Sequence, residues 1–438
     1  MINEEQIGVK VPEILLPKEG IDLKKWAVIA CDQFTSQPAY WEAVAKEVGD
    51  EPSTYHLILP EIYLEKPDLE SRIHRTHLMM QKYLNDGIFR SITGLIYVER
   101  TLGDVTRHGL VIALDLEAYD FSKGSQTLIR ATEGTILDRL PPRIRIRKEA
   151  PLESPHILVL YDDPKGAVMA PVLDNLATLE ICYDFELMQN SGQLTGRLIT
   201  DPEIIQQIIS ALAVLADSDA FADNYHLPNS FKPLLFAMGD GNHSLATAKS
   251  IWEELKPHVD ENHPARYALV EIENLHDAAL EFEPIHRILF NLEDDILQAL
   301  EKWFNSRMIS EPVDDLNAWI DQIDNTESLH HHFGLLTNQG ALHIEIKRPD
   351  CNLPVGSLQS FLDSYLTEHP NVRIDYVHGH EILIELGTKP GNAGFYLPAM
   401  SKNDLFKTVI LDGVLPRKTF SMGEAKDKRF YMECRKIR

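Results

Sequence analysis

Two spacings of apolar residues alternate along the chain. KKWAVIAC at Lys24–Cys31, YHLILPEIYL from Tyr55, SITGLIYVER from Ser91, GLVIALDLEAYDF from Gly109 and HILVLYDD from His156 are apolar runs of strand length. Between them lie stretches with helical spacing: one that ends at Gly49, one over Asp68–Asn85 carried by Ile73, Leu78 and Tyr83, and one from Pro202 to about Asp217. Further on, ATLEICYDFEL and ARYALVEIENLHD read as strands, FEPIHRILF as a strand or helix start, and NLEDDILQALEKWF as a helix, and the alternation continues to the end. There is no internal repeat, heptad or low-complexity tract. This pattern predicts an α+β (mixed α/β) fold. A length of 438 residues exceeds one ordinary core, and texture divides the chain into residues 1–124, 125–290 and 291–438.

Composition narrows the function classes. Asp and Glu outnumber Lys and Arg by 67 to 42, a formal charge of −25, which repels nucleic acid and anionic membranes. The four scattered cysteines form no C-x-x-C pair and point to a reducing compartment. No apolar stretch approaches the ~18 residues needed to cross a bilayer, and the acidic N-terminus is unlike a secretory signal. The expectation is a cytoplasmic protein that binds neither nucleic acid nor membrane; a homo-oligomer is compatible with this.

The densest chemistry lies in GDGNHS. Leu234–Met238 is a strand-length apolar run, and Ser244–Leu255 sets Leu245, Ala248, Ile251 and Leu255 on one helical face, so the chain must turn sharply between them. Gly239 and Gly241 permit positive φ and close approach of another group. The first amides of the helix favour an anion there, and the turn carries Asp240, Asn242, His243 and Ser244, residues suited to proton transfer, metal binding or hydrogen bonding. Asn242 or Ser244 can also serve as helix caps. The turn is neither a Walker A loop nor a G-x-G-x-x-G fingerprint.

A second anomaly is the basic stretch from Ser125 to Ile157. Arg143, Arg145 and Arg147 alternate with Ile144 and Ile146, the pattern of a solvated edge strand, or else the arginines supply charge to a ligand. Glu133, near Arg130, either orients and deprotonates an alcohol or makes a surface ion pair. The histidines are weaker signals. His330, His331 and His332 are consecutive and read as a polar loop. His74 and His77 share a helix face without a third ligand, and His286, His378 and His380 are pocket candidates. Lys418, in LPRKTF, either reaches an anionic ligand or is solvated.

The turn Met238-Gly239-Asp240-Gly241-Asn242-His243-Ser244, with CDQFTSQPAYW at Cys31–Trp41, PSTYHLILPEIYL after Pro52, FEPIHRIL around Arg287, IDYVHGH around His378, GFYLP at Gly394 and DGVLPRKTF holding Arg417 and Lys418, resembles the family known as domain of unknown function 1015. That family has an I-A-D-G-H-H-R-type turn, and the likeness covers nearly the whole chain. The turn is similar to that of the ParB and sulfiredoxin superfamily, which includes free-serine kinases with a D-G-H-H-R turn and a glutamate from an H-E-x-T element. Ala131-Thr132-Glu133-Gly134-Thr135 is the matching element here. The resemblance implies a ParB-like core, a site that uses Mg²⁺ and ATP or ADP, and phosphoryl transfer to a small hydroxylated or amino acid metabolite. On it, Glu133 is the acid or base, Thr135 a hydrogen-bonding partner, and Asp240 and His243 handle metal or phosphates, with Asp240 the metal ligand. Asn242 and Ser244 stand where the family has His and Arg, so Arg130, Arg143, Arg145 or Arg147 would supply the missing charge, with Arg287 and Lys418 as further phosphate candidates. Nucleotide hydrolysis and nucleotide-gated regulation are the alternatives.

Overall fold

The computed structural model describes residues 4–228, 230–326, 328–423 and 425–438. Its contacts fall into two compact units, Met1–Leu280 with Gly423–Arg438, and Glu281–Met422. The expected boundary at 124 and 125 lies inside the first unit, and that at 290 and 291 lies within the second. The architecture is mixed α/β, as the alternating periods predict.

The first unit is built on ten strands: β1 (Val9–Lys10), β2 (Leu95–Leu102), β3 (Val105–Asp115), β4 (Tyr119–Asp120), β5 (Ile129–Arg130), β6 (Leu158–Tyr161), β7 (Ile181–Glu186), β8 (Gln193–Ile199), β9 (Phe236–Asp240) and β10 (Tyr267–Asn274). Their order is β7-β8-β2-β3-β10-β6-β9-β5-β4, with β1 paired to β3. The sheet is antiparallel from β7 to β10. It then becomes mixed: β6 runs parallel to β10 and antiparallel to β9, and β5 runs parallel to β9.

Both faces of the sheet are covered, which is why its central strands read as unbroken apolar runs. Leu110, Ile112 and Leu114 of β3 join Val270 and Ile272 of β10 in one core with helix Pro202–Leu215 and helix Asn242–Leu255. Val111 and Leu269 point to the other face, packed with Trp26, Trp41, Val44 and Met432. In the second unit a six-stranded sheet packs Ile288, Leu336 and Tyr396 against Trp319 and Leu383.

Four local expectations are corrected. RIRIRK is helical, part of Leu140–Lys148, because Pro141 and Pro142 occupy the first turn, where their missing amides cost nothing. PSTYHLILPEIYL forms two 3-10 turns, Thr54–His56 and Glu61–Tyr63, the first begun by the Ser53 hydroxyl accepting from the Tyr55 amide. KKWAVIAC is split into a helical turn, Leu23–Trp26, capped by the Asp22 carboxylate, and a two-residue strand, Val28–Ile29. His331 and His332 begin the strand His331–Thr337 instead of a loop, and the His331 ring is buried against the Ser357 hydroxyl at 2.8 Å.

Candidate functional site

The strand–turn–helix expected around residue 240 forms as β9 and a 14-residue helix, α1 (Asn242–Leu255). Gly241 makes the turn with φ of +80° and stands at the N-cap, so the helix begins without a side-chain cap. Packing also demands glycine here, since a Cβ would come within 3.1 Å of Ile157. Asp240 lies at the strand end; its carboxylate accepts from the Gly241 amide at 2.8 Å and faces Lys428 Nζ at 3.3 Å. Asn242 Oδ1 and His243 Nε2 are buried with no hydrogen-bond partner among the described residues. Buried polar atoms are nearly always satisfied, and these two exceptions lie beside the free amides of an uncapped helix start, whose partial positive charge favours an anion.

The ATEGT element lies beside the turn. Ile129 and Arg130 pair with Phe236 and Ala237, and the Thr132 hydroxyl donates to the Met238 carbonyl at 2.7 Å. The strand pairing ends at Arg130 and Ala237, and Glu133 follows directly after the Thr132 that makes this contact. Thr135 Oγ1 is buried and unpartnered among the described residues. Thus 107 positions of sequence separate two segments that the sheet sets side by side. Arg130 is different. Its guanidinium donates to the carbonyls of Thr127 (2.8 Å), Lys232 (2.8 Å) and Pro233 (3.1 Å), and burial alone lowers its pKa to about 10. It braces the entry to β5 and β9.

Other residues close the site from the far side of α1. Ser244 Oγ lies 3.2 Å from His156 Nε2, and Tyr431 Oη lies 2.8 Å from His156 Nδ1. Tyr431 Oη already accepts from the Cys31 amide at 3.1 Å, and burial keeps the phenol protonated. A phenol donating to Nδ1 leaves Nε2–H to donate to Ser244. Asp32 approaches His156 Nε2 at 3.9 Å. Arg143 pairs with Glu61 and donates to the Arg139 carbonyl at 2.7 Å. Burial first, then Arg143 and Arg139, lower the His243 pKa to about 4, so its imidazole is neutral at ordinary pH.

The other expected residues fall elsewhere. Arg145 is exposed and pairs with Glu70 at 2.6 Å. Arg287 and Lys418 belong to the second unit. The Arg287 guanidinium is buried there on the carbonyls of Ile285 and Arg417, the latter at 2.9 Å. Asp32 and Glu61 fell within sequence stretches already singled out as family-like. His156, Lys428 and Tyr431 carried no sequence signal, because an isolated polar residue beside an apolar run is ordinary.

Among the described residues no group of three or more His, Cys, Asp or Glu is placed to hold a metal. Asp240 already faces the Lys428 ammonium, so a cation held by protein alone does not fit. A Mg²⁺ arriving on phosphates, which needs one or two protein carboxylates, does. No single described helix is long and apolar enough to cross a membrane.

These features define a mixed α/β protein with a glycine turn between a strand of the large sheet and an uncapped helix. The chain belongs to the family described as protein of unknown function (DUF1015), which matches residues 15–365. Comparison with curated proteins gives no match. Among solved structures, a free serine kinase in complex with AMP is similar at 12% identity and a TM-score of 0.39, over 75% of this chain and 92% of that one. A conserved hypothetical protein from Pyrococcus furiosus aligns at 11% identity and a TM-score of 0.34, over 74% and 90%. SbnI with a C-terminal truncation, from Staphylococcus aureus, aligns at 6% and 0.36, over 72% and 82%. All three likenesses are distant.

Proposed function

We propose that the first unit carries a nucleotide-phosphate site at the start of α1 and transfers the terminal phosphoryl group of ATP or ADP to a small hydroxylated acceptor. The observation that carries this reading is the uncapped helix start with buried, unsatisfied Asn242 and His243 side chains, beside Asp240, Lys428 and the Glu133 segment. The helix amides accept phosphate oxygens. Lys428 supplies the cation that Ser244 does not, and neutral His243 can donate a hydrogen bond without repelling a metal. A Mg²⁺ bound to the phosphates and to Asp240 would neutralise charge on the transferred group. In the transfer, the acceptor oxygen bonds to the terminal phosphorus as the bond to the leaving nucleotide breaks, and the acceptor proton passes to the Glu133 carboxylate. The resemblance of the turn and of Ala131–Thr135 to the ParB and sulfiredoxin pattern supports the same assignment.

The test is thermal unfolding with ATP, ADP, CTP and GTP, with and without Mg²⁺. A bound nucleotide at 100 times its Kd adds about 2.7 kcal/mol of stability. An upward shift is expected in the wild type and a smaller one in Asp240→Asn. Glu133→Gln should bind nucleotide but form no phosphorylated product. No shift with any nucleotide would overturn the reading.

A further inference from the structure

Phosphoryl transfer at the start of α1 spreads negative charge over the oxygens of the transferred group, and that charge needs cations with donors to match. Lys428 is one, but its ammonium already faces the Asp240 carboxylate at 3.3 Å. The basic stretch between Ser125 and Ile157 holds others, and all but one are engaged. Arg130 is buried on three backbone carbonyls. Arg143 pairs with Glu61, Arg145 with Glu70 at 2.6 Å, Arg147 with Glu153 at 2.5 Å and Lys148 with Glu254 at 2.5 Å. Arg139 is the exception: it is exposed, and no carboxylate among the described residues pairs with it.

The fold brings this free guanidinium to the candidate site. Thr132 is bonded to the Met238 carbonyl of β9, and the Arg139 carbonyl accepts from Arg143 Nη1 at 2.7 Å, at the N-cap of helix Leu140–Lys148. That helix packs against α1, and its Arg143 shares a cavity wall with Ser244 in the first turn of α1. The chain from Glu133 to Arg139 is thus anchored at β9 on one side and beside α1 on the other. The Arg139 guanidinium lies near enough to the His243 ring to oppose its protonation, after burial and Arg143. Between the anchors Ile136 and Leu137 are 49% and 64% exposed, so the span is not packed down and leaves Arg139 free to turn towards a ligand. A guanidinium offers two parallel N–H groups to two oxygens of one phosphate, which an ammonium does not.

We propose that Arg139 binds the terminal phosphate of a nucleoside di- or triphosphate at the start of α1. This rests on the phosphotransferase reading and gives it the residue that tells those nucleotides from a monophosphate. The probes are AMP, ADP and ATP, titrated calorimetrically with Mg²⁺ into the full-length protein. Arg139→Ala should weaken the tighter bound of ADP and ATP by about tenfold or more, the usual contribution of hydrogen bonds to a charged group, and leave AMP affinity unchanged. Arg139→Lys should recover part of the loss. Arg145→Ala, which removes an arginine paired with Glu70 from the adjoining helix, should leave all three affinities unchanged. An equal loss in Arg145→Ala would mean that net charge acts and not contact, and would overturn the proposal. So would an equal loss for AMP, or none for ADP and ATP. Because Arg139 is exposed and unpaired, its alanine variant should keep the wild-type urea midpoint; a lowered midpoint would show a structural role in place of a binding one. If the wild type binds no nucleotide, the phosphotransferase reading falls and this inference with it. If the wild type binds ADP or ATP and Arg139→Ala binds them equally well, this inference alone falls.

Discussion

At the scale of single residues, His243 makes the site measurable without knowing its substrate. Its folded pKa, about 4, lies below the ~6.5 of an unfolded chain. As pH falls, the unfolded state takes the proton first, so this group costs nothing above about 6.5 and lowers stability progressively between about 6.5 and 4. His286 and His331, also lowered, to about 3 and about 4 by burial, bend the whole-protein curve the same way, so the difference between wild type and His243→Gln isolates the residue. The wild type should lose urea stability relative to the variant across that window and hold a constant offset above it. A flat difference from pH 7 to 4 would show that His243 is not held neutral. Nothing in the letters GDGNHS tells that the imidazole is unpartnered: the residue type was legible, but its environment comes first from burial and then from Arg143 and Arg139, about 100 positions away.

At the scale of elements, strand β9 and helix α1 were legible because an apolar run, two glycines and a helical stripe follow one another locally. The arginine helix was not. Arg143, Arg145 and Arg147 alternate with isoleucine at period two, and helix Leu140–Lys148 buries only Leu140, so no apolar stripe betrays it; Pro141 and Pro142 at its start were the better signal. Arg130 shows the same limit from the other side. A basic residue near a candidate glutamate reads as a ligand contact, yet its buried guanidinium donates to three backbone carbonyls, of which that of Pro233 lies in the interior. Arg130→Met should therefore cost about 3 kcal/mol or more, since hydrogen bonds from a charged group contribute roughly 1.5–3 kcal/mol each. The loss should appear in the urea midpoint with no ligand present. If stability is unchanged and only nucleotide affinity falls, the guanidinium serves the ligand and not the β5–β9 junction.

At the scale of the whole chain, the first unit is closed by a segment that returns after the second unit has been completed. Its strands, Phe430–Tyr431 and Arg435–Lys436, are two residues long, too short to show any period in sequence, and their partners, Val28–Ile29 and Leu152–Glu153, lie hundreds of positions away. What fixes the segment is buried charge. Arg429 donates to Glu271 at 2.6 Å and to Glu433 at 2.7 Å, with all three side chains less than 5% exposed. Tyr183 adds its hydroxyl to Glu433 at 2.5 Å, and Gly109 leaves room for the Glu271 side chain. The same segment presents Lys428 to Asp240 and Tyr431 to His156, so the fold and the candidate site share one anchor. Removing one partner of such a buried pair costs about 3–5 kcal/mol because a charge is stranded. Arg429→Met, which leaves Glu271 and Glu433 without their shared guanidinium, should therefore lower the urea midpoint by a corresponding amount, and Arg429→Lys, which keeps the charge, should lose less. Equal losses in the two variants would mean that Arg429 contributes through its shape and packing and not through its charge. If the anchor acts as argued, Arg429→Met should also weaken nucleotide binding, because the same segment presents Lys428 to Asp240.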